Sequence, residues 1–168
     1  MTIQNFNLYT ARGYAGDLCD ASSATVKQTG VLLAGTLGFG IAVQPSGVDQ
    51  GIAVGSPEIG ASSLTNVYGI SLREYNHEAG TRPSTGTDFL YRVNESVSIL
   101  RQGFIYLKLT GATAIIRDAA LRVVEATGLF TNVAAAGTST CLNVHAVQPA
   151  VTDEIFKARI DISYTQTA

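Results

Sequence analysis

Residues equipped for chemistry are few in this chain. The densest group lies near its start, in "RGYAGDLCDA" at positions 12–21. Gly13 and Gly16 are three apart, Asp17 and Asp20 are three apart, and Cys19 falls between the aspartates. Glycines can cradle a phosphate, paired carboxylates can move protons, and a thiol can attack a carbonyl, but here each set is incomplete. "GYAG" lacks the Lys-Ser/Thr of a phosphate loop, and no helix-period segment follows it to hold an anion at its amino terminus. Without a helix, Asp17 and Asp20 need not share a face. The economical reading is backbone geometry: Gly13 and Gly16 turn a leading segment into the first strands, and the aspartates hydrogen-bond to nearby backbone.

A second polar group, Glu74, His77 and Glu78, lies in "REYNHEAGTRPSTGTD" at 73–88. A zinc protease needs two histidines one helical turn apart, and a hydrolytic triad needs a nucleophile oriented by a base. The other histidine of the chain, His145, falls on a predicted strand face with Cys141 and Asn143, which reads as an exposed or interface position. The expectation is therefore no catalytic residue, no metal, no cofactor and no enzymatic activity. Cys19 and Cys141 are too few for a disulfide framework, and whether they pair stays open.

The elements that hold these residues are short apolar stretches separated by Gly, Pro, Ser, Thr and Asn. In "IFKARIDISYT", Phe156, Ala158, Ile160, Ile162 and Tyr164 alternate with Lys157, Arg159, Asp161 and Ser163, the period of a half-buried strand. "ESVSILRQGFIYLKL" reads as two strands, 95–101 and 104–109, joined by a turn at Gln102-Gly103. "GFGIAV" at 38–43 and "GIAV" at 51–54 flank a loop containing Pro45 and Gly47. "VYGISL" at 67–72 and "STCLNVHAV" at 139–147 complete the set. "AIIRDAALRVVEATG" supports two readings: Ile116, Ala119, Ala120, Val123 and Val124 have helical spacing, yet "LRVVEA" suits a strand. Many short strands between turn residues indicate a sandwich or barrel.

With 168 residues the chain suits a single domain, with a leading segment at about 1–20 and a long loop at about 73–88. Its formal net charge of −2 gives no basic excess for nucleic acid. No apolar run approaches a membrane span, and the amino terminus lacks a signal-peptide pattern, which leads to expected synthesis in a cytoplasm. Only 14% of residues are charged, against about 25% in ordinary soluble domains. A surface so poor in charge suits neighbours, hence an expected homo-oligomer, trimer or dimer. The long loop suits a partner surface: Arg73 and Arg82 for carboxylates, Tyr75 as an aromatic anchor, and Pro83 to restrict the free loop. Arg12, Tyr14 and His77 complete the expected contact residues.

Several stretches in order carry a resemblance: "RGYAGDL", "GFGIAV", "YGISLRE", "VSILRQGFIYLKL", "LRVVEATGLFT" and a last strand ending "ARIDISYT". Over about residues 12–164 the chain resembles the structural cement (head decoration) proteins of tailed bacteriophages. The resemblance implies an all-β, jelly-roll-like antiparallel sandwich with no active site. It also implies a major capsid protein as partner, a place on the capsid exterior of the virion, and synthesis in the host cytoplasm. It favours strands over a helix at 115–127. Two other classes compete. A virion-associated or secreted sandwich binding glycans or a host surface would stack sugar on exposed aromatics, yet the chain has no Trp and its Tyr residues do not cluster. Small trimeric all-β enzymes that hydrolyse deoxyuridine triphosphate are similar in size, but they end in a glycine-rich arm, and "DISYTQTA" is no such arm.

Overall fold

A computed structural model describes residues 13–20, 25–46, 51–54, 64–73, 90–111 and 114–161. Every regular element among them is a strand: β1 (Leu18–Asp20), β2 (Val26–Leu32), β3 (Thr36–Leu37), β4 (Ala42–Pro45), β5 (Gly51–Val54), β6 (Leu64–Thr65), β7 (Gly69–Ser71), β8 (Tyr91–Arg92), β9 (Ser96–Thr110), β10 (Ala120–Val124), β11 (Phe130–Thr131), β12 (Thr138–Ala146) and β13 (Ile155–Ile160). The organiser is β9, which pairs with β1, β2, β7, β11 and β13. Hydrogen bonding is continuous through β9 across eleven strands. The carboxyl-terminal half of β9 joins one sheet with β10 to β13, and its amino-terminal half a second with β2, β4, β5 and β7. Most ladders are antiparallel; β2 with β5, β6 with β12 and β9 with β11 are parallel.

The arrangement is sandwich-like because neighbouring residues in the second sheet face two different cores. Ala42, Ile70 and Leu100 join Ile105, Leu107, Leu121, Val144 and Phe156 in one buried cluster between the sheets. Val43, Ile52, Val97 and Ile99 face the other way, where Leu37 and Tyr91 from the β3–β8 ribbon cover them.

The expected turn at Gln102-Gly103 does not form: β9 runs straight through as a single strand of 15 residues. Gln102 pairs with Val26 and Leu100 with Lys27, so Arg101 is an extra residue on β9. Such a bulge reverses which side chains face a given core. Before it, odd positions Val97 and Ile99 face the ribbon side; after it, odd positions Ile105, Leu107 and Leu109 face the core between the sheets. Gly103 follows at φ 133°, a backbone conformation that a side chain disfavours. The glycine that resembles a turn residue instead lets one strand pass between two sheets.

Other expectations are refined. Phe156, Ala158 and Ile160 are buried and Arg159 is exposed, as the period of two requires. Pro45 lies within β4 rather than in a loop, while only Ala42 and Val43 of "GFGIAV" belong to a strand. The ambiguous 115–127 segment forms a turn at Arg117 and Asp118, then β10, with Asp118 at φ 63°. The ladder from β10 to β12, Arg122 against Thr140 and Val123 against Ser139, supplies strand partners that a helix would forfeit. On β12 the expected shared face of Cys141, Asn143 and His145 is broken. Cys141, Asn143, Val144 and Ala146 are all buried, while His145 is half-buried. A register shift between β10 and β12 reverses the alternation there.

Candidate contact site around Tyr14 and Arg73

The opening stretch folds as a tight turn fastened to β9. Asp17 N–H donates to the Tyr14 carbonyl at 3.0 Å, and Asp17 Oδ2 accepts from the Tyr14 N–H at 2.7 Å. Gly16 holds φ 86° at the third turn position, where a type II turn requires a positive value. A Cβ there would lie 2.6 Å from the Phe39 Cβ. Gly16 N–H donates to the Tyr106 carbonyl at 2.8 Å, and Tyr106 N–H to that of Asp17 at 2.9 Å. The aspartate role expected from sequence therefore holds for Asp17; the side chain of Asp20 lies outside the described residues.

The same turn receives the end of β7. Arg73 N–H donates to the Gly16 carbonyl at 2.8 Å. Its guanidinium carbon lies 4.3 Å from the centre of the Tyr14 ring and 5.6 Å from that of Phe39. Arg73 Nε is 3.9 Å from Asp17 Oδ1, with both side chains mostly buried at 14% and 15% exposure. Phe39 is fixed in turn by an edge-on contact with Tyr91, with ring centroids 5.4 Å apart. The Tyr91 hydroxyl donates to the Leu72 carbonyl at 2.7 Å. Tyr14 remains 64% exposed. The arrangement is a guanidinium near two rings and a carboxylate, with the Tyr14 side chain largely exposed.

Tyr106 adjoins the turn. Burial first, then the neighbouring Cys19 thiol and the Asp17 carboxylate, raise its phenol above the ordinary value. The phenol thus stays protonated, and none of these groups is arranged as a nucleophile with an oriented base. Among the described residues, no three His, Cys, Asp or Glu side chains converge on a metal position. His145 Nε2 lies 3.2 Å from the Leu142 carbonyl oxygen, a local contact. The cysteines are free; burial pushes the Cys141 thiol up to about 12, against a smaller opposing effect of Arg122.

Of the six contact residues expected from sequence, the structure brings Tyr14 and Arg73 together. Arg12, Tyr75, His77 and Arg82 lie outside the described residues. Sequence reasoning missed Phe39 and the Asp17 carboxylate as further partners of Arg73. The available signal was an aromatic residue between two glycines in "GFG", which marks a ring approached closely by backbone.

Among the described residues the fold is all-β and sandwich-like. The family described as structural cement protein (E217 gp24/Pam3 gp6) matches residues 3–161, and the chain belongs to this phage cement family. A chain from a solved structure described as the capsid of Myoviridae phage XM1 shares the fold, with a TM-score of 0.64 at 15% identity. That likeness covers 94% of this chain and 95% of the other. A search of the curated proteins returns no match.

Proposed function

We propose that this protein attaches to the outer surface of an assembled phage capsid, contacts the major capsid protein and stabilises the shell without catalysing a reaction. The carrying observation is the family match over residues 3–161. On this reading the protein is made in the host cytoplasm and ends on the virion exterior. It acts as one β-sandwich unit, with β9 as the support common to both sheets, and it self-associates as a dimer or trimer. The Tyr14 face is the proposed capsid contact. Its exposed ring is held by Arg73, so little side-chain freedom is lost on docking. Arg12, Tyr75, His77 and Arg82 belong to the same contact set on sequence grounds: Arg12 adjoins the turn in sequence and the other three follow Arg73.

The test is co-sedimentation with undecorated shells and, separately, with isolated capsid subunits. Parent protein should pellet with shells and bind subunits weakly. Tyr14→Ala should weaken attachment about tenfold, roughly 1.4 kcal/mol, while leaving thermal stability nearly unchanged because the ring is outside both cores. Tyr75→Ala combined with Arg82→Ala probes the sequence that follows Arg73 in the same assay. Equal binding to shells and subunits, or a saturable small-sugar site instead of either, would refute the reading.

A further inference from the structure

Among the described residues, the first half of β2 is paired on one edge only. Val26, Lys27, Gln28 and Thr29 are all exposed, although successive strand side chains point to opposite faces. β9 pairs with this half on one side. On the other side β5 reaches only Val31 and Leu32. Among the described residues, nothing hydrogen-bonds to the second edge of residues 26–30. An open edge presents a row of N–H and C=O groups, and the partner that satisfies such a row is another extended backbone.

The edge is complementary to itself in a single register. Two identical antiparallel strands related by a two-fold axis must place one residue opposite its own copy, because facing residues project to the same side of the sheet. The open run 26–30 overlaps its mate fully only when centred on Gln28. Gln28 then faces Gln28, Lys27 faces Thr29 and Val26 faces Gly30. Centring on Lys27 opposes like charges, which destabilises a strand pair. Centring on Thr29 drives the pairing into Val31, which β5 already holds. Gln28 Oε1 accepts from Arg101 Nη1 at 2.9 Å, which fixes the amide and leaves its NH2 group free to donate across the axis.

We propose that two copies of this protein join edge to edge through β2, antiparallel about a two-fold axis at Gln28, so that one sheet continues through both. This rests on the self-association in the proposed function and narrows it to a two-fold contact.

Cysteine cross-linking in a Cys19→Ser background tests the register. Facing residues in an antiparallel pair have Cα atoms about 4.5–5.5 Å apart. A disulfide accepts about 4.4–6.8 Å. Gln28→Cys alone should therefore form a covalent dimer on mild oxidation. Thr29→Cys alone should not, because its two copies are offset along the strands by about 7 Å in addition to the spacing between them. Lys27→Cys mixed with Thr29→Cys should cross-link where neither does alone. The measurement is made first on free protein and then on shell-bound protein. Cross-linked Gln28→Cys that fails to attach to shells would remove the capsid reading and leave the edge contact standing. Gln28→Cys that attaches but stays unlinked in both settings would assign the edge to another partner and overturn self-pairing, as would equal cross-linking by Thr29→Cys alone.

Discussion

Single buried polar groups decide how the first sheet closes over its core. Asn143 is 5% exposed; its Nδ2 donates to the Val67 carbonyl at 2.8 Å and its Oδ1 accepts from the Val67 N–H at 2.9 Å. The side chain thus supplies both hydrogen bonds that a neighbouring strand would give Val67. Asn143→Ala strands two buried backbone groups, at about 1–3 kcal/mol each, so a loss of roughly 2–6 kcal/mol in urea unfolding is expected. A midpoint within experimental error of the parent would mean that water replaces the amide without cost. Cys141 makes a prediction at alkaline pH. Its buried thiol keeps its proton up to about 12, whereas in the unfolded chain it ionises near the ordinary value of 9.0. Above about pH 9 the unfolded state binds fewer protons, so stability falls as pH rises from there toward about 12 and is unaffected by this group below. The full decline is at most about 4 kcal/mol, at roughly 1.4 kcal/mol per pH unit. Cys141→Ala loses packing at every pH but should flatten that slope. Denaturation curves for parent and variant over about pH 8–11 should therefore converge, and parallel curves would show that the thiol does not titrate with unfolding.

At the scale of elements, β9 carries both cores, and its centre is the place to test this. Leu107 is fully buried between the sheets, so Leu107→Ala should cost about 2–5 kcal/mol. A loss under about 0.5 kcal/mol, ordinary for a surface site, would place its side chain on the wrong face. The alternation that assigned Leu107 was legible in the sequence, as it was for Phe156, Ala158 and Ile160, because one face of each strand is buried and the other is not. The join at Gln102-Gly103 was not legible. A glycine with positive φ looks the same in a turn and in a bulge; the difference lies in β2 pairing with one half of β9 and β13 with the other. Residues 115–127 were undecided for the same reason, since the β12 ladder that settles them is non-local. At the candidate site, residue type was enough to nominate Tyr14 and Arg73. Their stacking was hidden because it depends on Gly16 accepting the Arg73 N–H, a contact between segments far apart in sequence.

For the molecule as a whole, the governing fact is a charged fraction of 14% with a net charge of −2. A protein with so little charge neither steers toward polyanions nor repels its own copies strongly, so contact with neighbours must come from shape, aromatic faces and backbone edges. The exposed Tyr14 ring and the β2 edge are two such features, carried by segments that both pack along β9. If the protein cements a shell, it does so by binding the assembled lattice more tightly than the separated subunits, and mass action then fixes how stabilisation depends on concentration. Each occupied site adds RT ln(1 + [L]/Kd), about 2.7 kcal/mol at roughly a hundredfold excess over Kd. The thermal midpoint of undecorated shells should therefore rise with the logarithm of added protein, and Tyr14→Ala should displace the same curve to higher concentration. Isolated capsid subunits heated under the same conditions should show little change. A shell midpoint indifferent to added protein, or subunits stabilised as much as shells, would mean that the differential binding on which cementing depends is absent.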